Sequence, residues 1–378
     1  MHSSKQTPNP LKGRTKEISV EEVRKRIKNA DYDLRFVDIR EERERLIGYI
    51  GGALHLPDSI LAAKIEESLP DKEAPVVLYC SSGVRSIKAA ALMEGMGYGE
   101  VKSMAGGFNA WVEAGYAIVT KGTMTADQIH RYSRQMLLPE IGEEGQLKLL
   151  RSRVLLVGAG GLGSPIALYL AAGGIGGLGI VDFDRVGLSN IHRQILYGTS
   201  DVGRPKTESA RETLKKINPD IAVIIHQERF TSDNALKLIE AYDVVVDGSD
   251  NPETKFLLND AAFFAGKPYI FGGAVGFGGQ ASVFFPKEGG PCMRCMIPEM
   301  PQPGTVPTCS EVGVFGIVPG QIGLVQAGEV VKLILGIGKT LMGRFLVYDC
   351  LQAEFRAFTV TRDPSCPLCG ETPTIMGI

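Results

Sequence analysis

Residues 153–164, RVLLVGAGGLGS, constrain the fold more than any other stretch of the chain. An apolar run, Val154 to Val157, enters Gly158-Ala159-Gly160-Gly161-Leu162-Gly163, and small residues from Ser164 to Ala172 predict the helix that leaves it. A strand, a glycine turn and a helix start in this order open a parallel α/β unit. The glycines let a phosphate reach backbone N–H groups at a helix N-terminus, where the dipole favours anions. A second predicted strand, Leu178 to Val181, ends in Asp182-Phe183-Asp184, close to the spacing at which a carboxylate meets a ribose hydroxyl. This predicts a nucleotide site. Its commonest form would hold a nicotinamide or flavin dinucleotide, so the residues beyond Asp182 make the choice.

A chain of 378 residues is long enough for two domains, and 44% hydrophobic with 22% charged residues supplies their cores. The net charge of −2, without a basic stripe, gives no electrostatic reason to expect nucleic acid and points to small molecules and proteins as partners. Residues 1–16, MHSSKQTPNPLKGRTK, lack the apolar core of a signal peptide, so they are expected to be a disordered tail on a cytoplasmic protein. The uncharged run Val154 to Val181 is broken by glycine turns, and the run after Glu311 is expected to be interrupted by Pro319 and Gln321. Both predict buried core and no membrane span.

Residues 17–120 form the first predicted domain. Val20, Val23 and Ile27 have helical spacing, Leu34 to Ile39 reads as a strand, and a buried strand, Val76 to Tyr79, delivers Cys80 to its carboxyl end. Ser81-Ser82-Gly83-Val84-Arg85 comes next, with a helix expected from near Ser86. A loop curling into a helix N-terminus directs N–H groups at the sulfur, and Arg85 adds positive charge. Such surroundings take a thiol from about 8.5 to roughly 3.5–7.5 and make it a sulfur nucleophile. With Val37-Asp38-Ile39-Arg40, Gly48 to Ala53 and Met104 to Trp111, this stretch resembles a rhodanese domain, a sulfurtransferase module. Tyr49 stands where that family often has histidine, a change expected to affect packing more than chemistry.

A linker is expected over 121–126 and a second domain over 127–378. Beyond Asp182 the residues suit ATP better than a dinucleotide. Ser189-Asn190-Ile191-His192-Arg193-Gln194, Gly203 to Lys206 and Asp247 to Asn251 supply cations, amides and carboxylates near predicted strand ends and helix starts. Arg193 and Lys206 suit phosphates and a departing pyrophosphate, Asp250 suits magnesium or the nucleotide, and Asp182 suits the ribose.

In order and spacing these motifs, from about Ile129 to Gly370, closely resemble the molybdopterin-synthase and thiamine-synthesis (MoeB/ThiF-like) sulfur-carrier adenylyltransferases, relatives of the ubiquitin-activating enzymes. The resemblance implies that Gly161, Asp182, Ser189, Asn190, Arg193, Lys206, Asp250 and Asn251 bind ATP. It also implies that Arg134 enters the site of the other subunit of a homodimer.

Pro291-Cys292-Met293-Arg294-Cys295 and Ser365-Cys366-Pro367-Leu368-Cys369 place two CxxC pairs far apart in sequence. Four thiolates are a closed tetrahedral set for Zn2+ with no position left for water, which predicts a structural metal. Between the pairs, a loop with three prolines carries Cys309, and relatives have a cysteine in the matching place, implicated in holding the carrier or receiving its sulfur. Cys350, in the strand-like run Phe345 to Cys350, is expected in the core.

The fold expected is α/β throughout: a rhodanese-like α/β domain, then a doubly wound Rossmann-like adenylyltransferase domain with a structural zinc site. The resemblance implies that ATP with Mg2+ adenylates the C-terminal Gly-Gly carboxylate of a ubiquitin-like sulfur carrier protein. Sulfur from thiosulfate or a persulfide donor would pass through Cys80, with Cys309 forming a transient acyl or disulfide link to the carrier, to give a thiocarboxylate. In better-known fused relatives the rhodanese domain comes last, whereas here it comes first. Two alternatives stay open at this point, a dinucleotide-dependent oxidoreductase with a regulatory rhodanese module and a non-catalytic carrier-protein adaptor, and the pathway served by the carrier stays open between molybdopterin, thiamine, cysteine and another sulfur metabolite.

Overall fold

A computed structural model describes residues 16–29, 33–120, 122, 124–302 and 309–378. The chain divides into two compact units, residues 1–146 and 147–378. Most of the expected N-terminal tail and positions 121 and 123 of the expected linker lie outside the described residues.

The first unit opens with β1 (Lys16–Ile18), which takes in the last residue assigned to the tail by sequence, and α1 (Val20–Lys28), whose N-cap Ser19 accepts from Glu22 N at 3.2 Å. β2 (Arg35–Asp38), α2 (Glu42–Arg45), β3 (Leu54–His55), α3 (Asp58–Ser68), β4 (Val76–Tyr79), α4 (Val84–Gly95), β5 (Val101–Met104) and α5 (Gly107–Glu113) come after it. The five strands form a parallel sheet in the order β1-β5-β4-β2-β3. β4 lies in the middle and is buried along its whole length, which explains its unbroken apolar sequence. Helix α4 starts at Val84, earlier than the expected Ser86, because the Gly83 carbonyl already accepts the first helical bond from Ile87 N. α6 (Ala126–Met136) begins on a Thr125 and Gln128 capping box, and α7 (Gly142–Arg151) is the next helix.

The second unit is one eight-stranded sheet. Its parallel part comprises β6 (Arg153–Val157), α8 (Gly163–Ala172), β7 (Gly177–Val181), α9 (Lys206–Ile217), β8 (Ala222–His226), α10 (Ser232–Glu240), β9 (Val244–Asp247), α11 (Pro252–Phe264) and β10 (Tyr269–Val275). β11 (Gly278–Phe284), the short α12 (Cys309–Val312), α13 (Ile317–Leu335), β12 (Arg344–Asp349) and β13 (Glu354–Thr359) complete it. The strand order is β13-β12-β11-β10-β9-β6-β7-β8. The chain builds outward from β6 through β7 to β8, then returns to place β9 on the other side of β6. That reversal is a topological switch point, where ligands bind beyond the strand carboxyl ends. The antiparallel extension from β10 to β13 was not visible in the doubly wound expectation.

Helices cover both faces. Leu155, Val157, Val245, Tyr269 and Phe271 point to a core shared with α10 and α11. On the other face, α13 packs on α8, and a side chain on Gly272 of β10 would strike Gln326 at 2.4 Å. Helix α13 runs unbroken for 19 residues through both Pro319 and Gln321, contrary to the expected interruption. Pro319 sits in its first turn, where a helix has no use for the missing N–H. By length and composition α13 could cross a membrane. In the fold it buries Val318, Ile322, Gln326, Glu329 and Val330, and Gln326 Nε2 donates to Asp247 O at 2.8 Å, so it is a core helix of this sheet. Cys350 is half-buried in the turn after β12 rather than in the core, its N–H donating to Phe277 O at 3.0 Å.

Candidate active sites and metal centre

Cys80 stands at the carboxyl end of β4, fully buried. Gly83 N–H donates to its sulfur at 3.2 Å, and Ser86 Oγ lies at 3.5 Å. Behind the loop, Gly107 has φ +58°, and a Cβ there would fall 2.3 Å from the Cys80 carbonyl oxygen. Only glycine allows this approach, and it lets Phe108 N and Asn109 N donate to Cys80 O and Ser81 O at 2.8 and 3.0 Å. The second glycine motif is thus the seat of the reactive loop. Arg85 is less free than the sequence suggested. Its Nη1 and Nη2 donate to Glu44 Oε2 and Oε1 at 2.8 and 2.5 Å, and Ser81 Oγ donates to Glu44 Oε1 at 2.6 Å. Burial alone would raise the Glu44 carboxyl, but these bonds outweigh it and hold it down to about 2. The charge beside Cys80 is therefore an ion pair. Tyr49 takes a packing place, with the Arg45 guanidinium 4.0 Å over its ring.

In the second unit a cavity of about 590 Å³ opens at the switch point, at the carboxyl ends of β6, β7, β8, β9 and β10. Gly161, Asp182, Arg193, Lys206, Asp250 and Asn251 all line it. The glycine turn closes tightly: a side chain on Gly163 would lie 2.1 Å from Gly158 O, so α8 can start directly against the end of β6. Asp182 is buried, accepting from Ala159 N and Asp184 N at 2.8 Å each, and burial raises its carboxyl against the pull of Lys206. Lys206, the first residue of α9, is buried, and its Nζ donates to Asp184 Oδ2 at 3.0 Å. Arg193 Nη1 donates to Ser189 O at 3.0 Å. Ser189 and Asn190 do not line the cavity among the described residues. Asn190 Oδ1 accepts from Gly187 N at 2.9 Å, so these two shape the turn that carries Arg193. Asn251 caps α11 by accepting from Thr254 N at 2.8 Å. Arg134 is exposed on α6, in the first unit.

The two CxxC pairs converge. Cys292 Sγ lies 3.4 Å from Cys366 Sγ and 3.9 Å from Cys295 Sγ, Cys295 Sγ lies 3.4 Å from Cys369 Sγ, and all four fall within 4.8 Å of one another. Thiolates about 2.3 Å from a tetrahedral zinc stand roughly 3.8 Å apart, so the set fits Zn2+. Hydrogen bonds with Cys295 and Cys369, and burial, push the Cys292 thiol up. Four thiolates could not share this space without a cation. Helix α12 begins at Cys309, whose side chain, like residues 303–308, lies outside the described residues.

A model of the ThiF family matches residues 132–368, and one of the rhodanese-like domain matches residues 19–114. The chain belongs to the ThiF family. Over 254 residues it is 50% identical to a sulfur carrier protein adenylyltransferase of Thermus thermophilus, a match covering 66% of this chain and 94% of that protein. Over 247 residues it is 49% identical to a probable adenylyltransferase/sulfurtransferase, MoeZ, of Mycobacterium tuberculosis, covering 65% of this chain and 63% of that one. The chain thus spans just under two thirds of MoeZ. Among solved structures, E. coli MccB with ATP superposes with a TM-score of 0.56 at 25% identity, over 63% of this chain and 74% of that chain. Membership of the ThiF family, with its rhodanese-like partner domain, sets aside the oxidoreductase alternative.

Lys255, Glu228 and Arg229 line the ThiF cavity without having been singled out from the sequence. Lys255 Nζ donates to Asp247 Oδ2, Ser249 O and Gly272 O at 2.8, 2.9 and 2.6 Å, tying the Asp250 loop to β10. Glu228 and Arg229 enter the cavity just beyond β8, with the Arg229 guanidinium 4.0 Å over the Phe183 ring. The strand-like AVIIH before Glu228 was the available signal, since residues just past a parallel strand face the ligand side.

Proposed function

We propose that the chain is a sulfur carrier protein adenylyltransferase with sulfurtransferase activity. Its substrate is a ubiquitin-like carrier ending in Gly-Gly, which leaves as a thiocarboxylate. The observation that carries this reading is the convergence of Gly161, Asp182, Arg193, Lys206, Asp250 and Asn251 on one cavity, in a chain whose other unit presents Cys80 on a rhodanese-type loop. The relatives named as a sulfur carrier protein adenylyltransferase and a probable adenylyltransferase/sulfurtransferase support it.

In this reading one carboxylate oxygen of the carrier attacks the α-phosphorus of ATP, and the bond to the β-phosphate breaks with the electron pair leaving on pyrophosphate. Arg193 and Lys206 balance the charge that grows on the leaving group, Asp182 takes the ribose, Asp250 would hold Mg2+ or the nucleotide, and Asn251 lies on the nucleotide side of the same loop. Ser189 and Asn190 complete the ATP site through the turn they form. The terminal sulfur of a Cys80 persulfide, loaded from thiosulfate or a protein persulfide, attacks the acyl carbon and expels AMP. The product is an acyl disulfide on Cys80. A thiol, for which Cys309 is the candidate, attacks the Cys80 sulfur and frees the thiocarboxylate, leaving a disulfide for an external thiol to reduce.

Arg134 serves the partner's site in a homodimer, and the working domains are 17–120 and 127–378, joined by 121–126. Cys292, Cys295, Cys366 and Cys369 hold a structural zinc. These thiols must stay reduced to bind metal, which favours the cytoplasm. The test is intact mass measurement of candidate carriers incubated with the protein, ATP and thiosulfate. A gain corresponding to replacement of one carboxylate oxygen by sulfur is expected, and its absence across all Gly-Gly carriers of the source cell would refute the reading.

A further inference from the structure

The nucleotide cavity contains a buried side chain to which the reading above gives no role. Gln194 is 4% exposed, yet it lines the cavity beside Arg193. Its main chain is fixed, with N donating to Asn190 O at 2.9 Å and O accepting from Tyr197 N at 3.1 Å. The carboxamide lies against the glycine turn: Nε2 stands 3.6 Å from the point where a side chain on Gly160 would begin. Oε1 is buried without a hydrogen-bond partner. An unpaired buried acceptor costs stability that an apolar residue of the same size would not. A donor held at such a cost against the glycine turn, in a cavity that Arg193 also lines, is suited to a ligand that accepts from Nε2.

We propose that the Gln194 carboxamide is a nucleotide-contacting group, its Nε2 donating to a phosphate oxygen of ATP. A nucleoside triphosphate suits the Nε2 end of the amide, since phosphate oxygens accept and Nε2 donates. An amide adds a donor without adding charge, which complements Arg193 and Lys206. The identity of the ligand rests on the adenylation reading.

The test is calorimetric titration of ATP with Mg2+ into the full-length wild type, Gln194→Met and Gln194→Glu, with the melting temperature of each unliganded protein. Gln194→Met should bind ATP about tenfold more weakly, the order expected for a lost bond to a charged group. Its unliganded melting temperature should equal or exceed that of the wild type, because the unpaired acceptor is gone. Gln194→Glu, which removes the donor and adds a negative charge, should bind more weakly still. Wild-type affinity in Gln194→Met, whether or not its melting temperature falls, overturns the proposal and returns Gln194 to packing. Binding of ATP needs no carrier, so a wild type that binds ATP but activates no carrier refutes the adenylation reading alone. A wild type that does not bind ATP overturns both.

Discussion

Lys206 Nζ lies 3.0 Å from Asp184 Oδ2, within the cavity that also receives Arg193. The lysine side chain is only 7% exposed while the carboxylate is about half exposed, so the cation is held by the protein and the anion faces the opening. A phosphate entering the cavity can share or replace Asp184 as the partner without moving Lys206 into place first. That preorganisation is what electrostatic stabilisation of a leaving pyrophosphate requires.

Replacing Lys206 with Ala should therefore lower carrier-dependent exchange of pyrophosphate into ATP by roughly a hundredfold or more. Thiosulfate sulfurtransferase activity, which needs only the first unit's chemistry, should persist. Exchange at the wild-type rate would remove Lys206 from the phosphate site.

Elemental analysis should find one zinc per chain. Cys366→Ser should lose it and melt at lower temperature, since structural zinc supplies on the order of 10–16 kcal/mol of apparent binding energy in small metal-folded domains. Folded, metal-free wild-type protein would contradict the assignment. The geometry makes the expectation specific, because Cys366 touches Cys292 across 74 positions of sequence.

The Glu44 carboxyl is held down to about 2 from an ordinary 4.5 despite its burial, by bonds from Arg85 and Ser81. A depressed carboxyl contributes stability that is fully present above its unfolded value and lost as pH falls through its folded one. The window is therefore about pH 4.5 down to 2. Full-length Glu44→Gln should show a smaller loss of melting temperature for the first unit across that window than the wild type. Identical acid profiles for the two proteins would mean that the ion pair does not hold the loop.

Cys80→Ala should still form carrier adenylate, seen as pyrophosphate exchange, but yield little thiocarboxylate from thiosulfate. Free sulfide should restore the product without a thiol relay. Cys309→Ala separates relay from packing: adenylation intact with transfer lost makes Cys309 the relay, and unchanged transfer ends that role. Wild-type product from Cys80→Ala would mean that the fused domain is not the sulfur source.

Much of what lines the candidate sites was legible because it depends on local chemistry. The glycine turn at 158–163, the aspartate after the second strand, the cations at 193 and 206 and the cysteine closing an apolar strand each announce themselves over a few residues. Ser189 and Asn190 show the limit of that reading. Their sequence marks the right segment, but only the folded turn places them behind Arg193 rather than in the cavity lining.

By itself, then, the sequence determined the two α/β domains, the parallel strands around β6, the pairing chemistry of two CxxC motifs and the type of reaction these residues suit. Tertiary structure alone decided which charges remain available: Arg85 is spanned by Glu44 from 41 positions away, Lys206 by Asp184 from 22. It also decided that α13 runs straight through Pro319, that Lys255 and Glu228 enter the cavity, and that four sulfurs stand within 4.8 Å. The physical reason is range. Turn and strand preferences are set by neighbouring residues, whereas burial, ion pairing and metal geometry depend on atoms brought together only when the sheet closes on its helices.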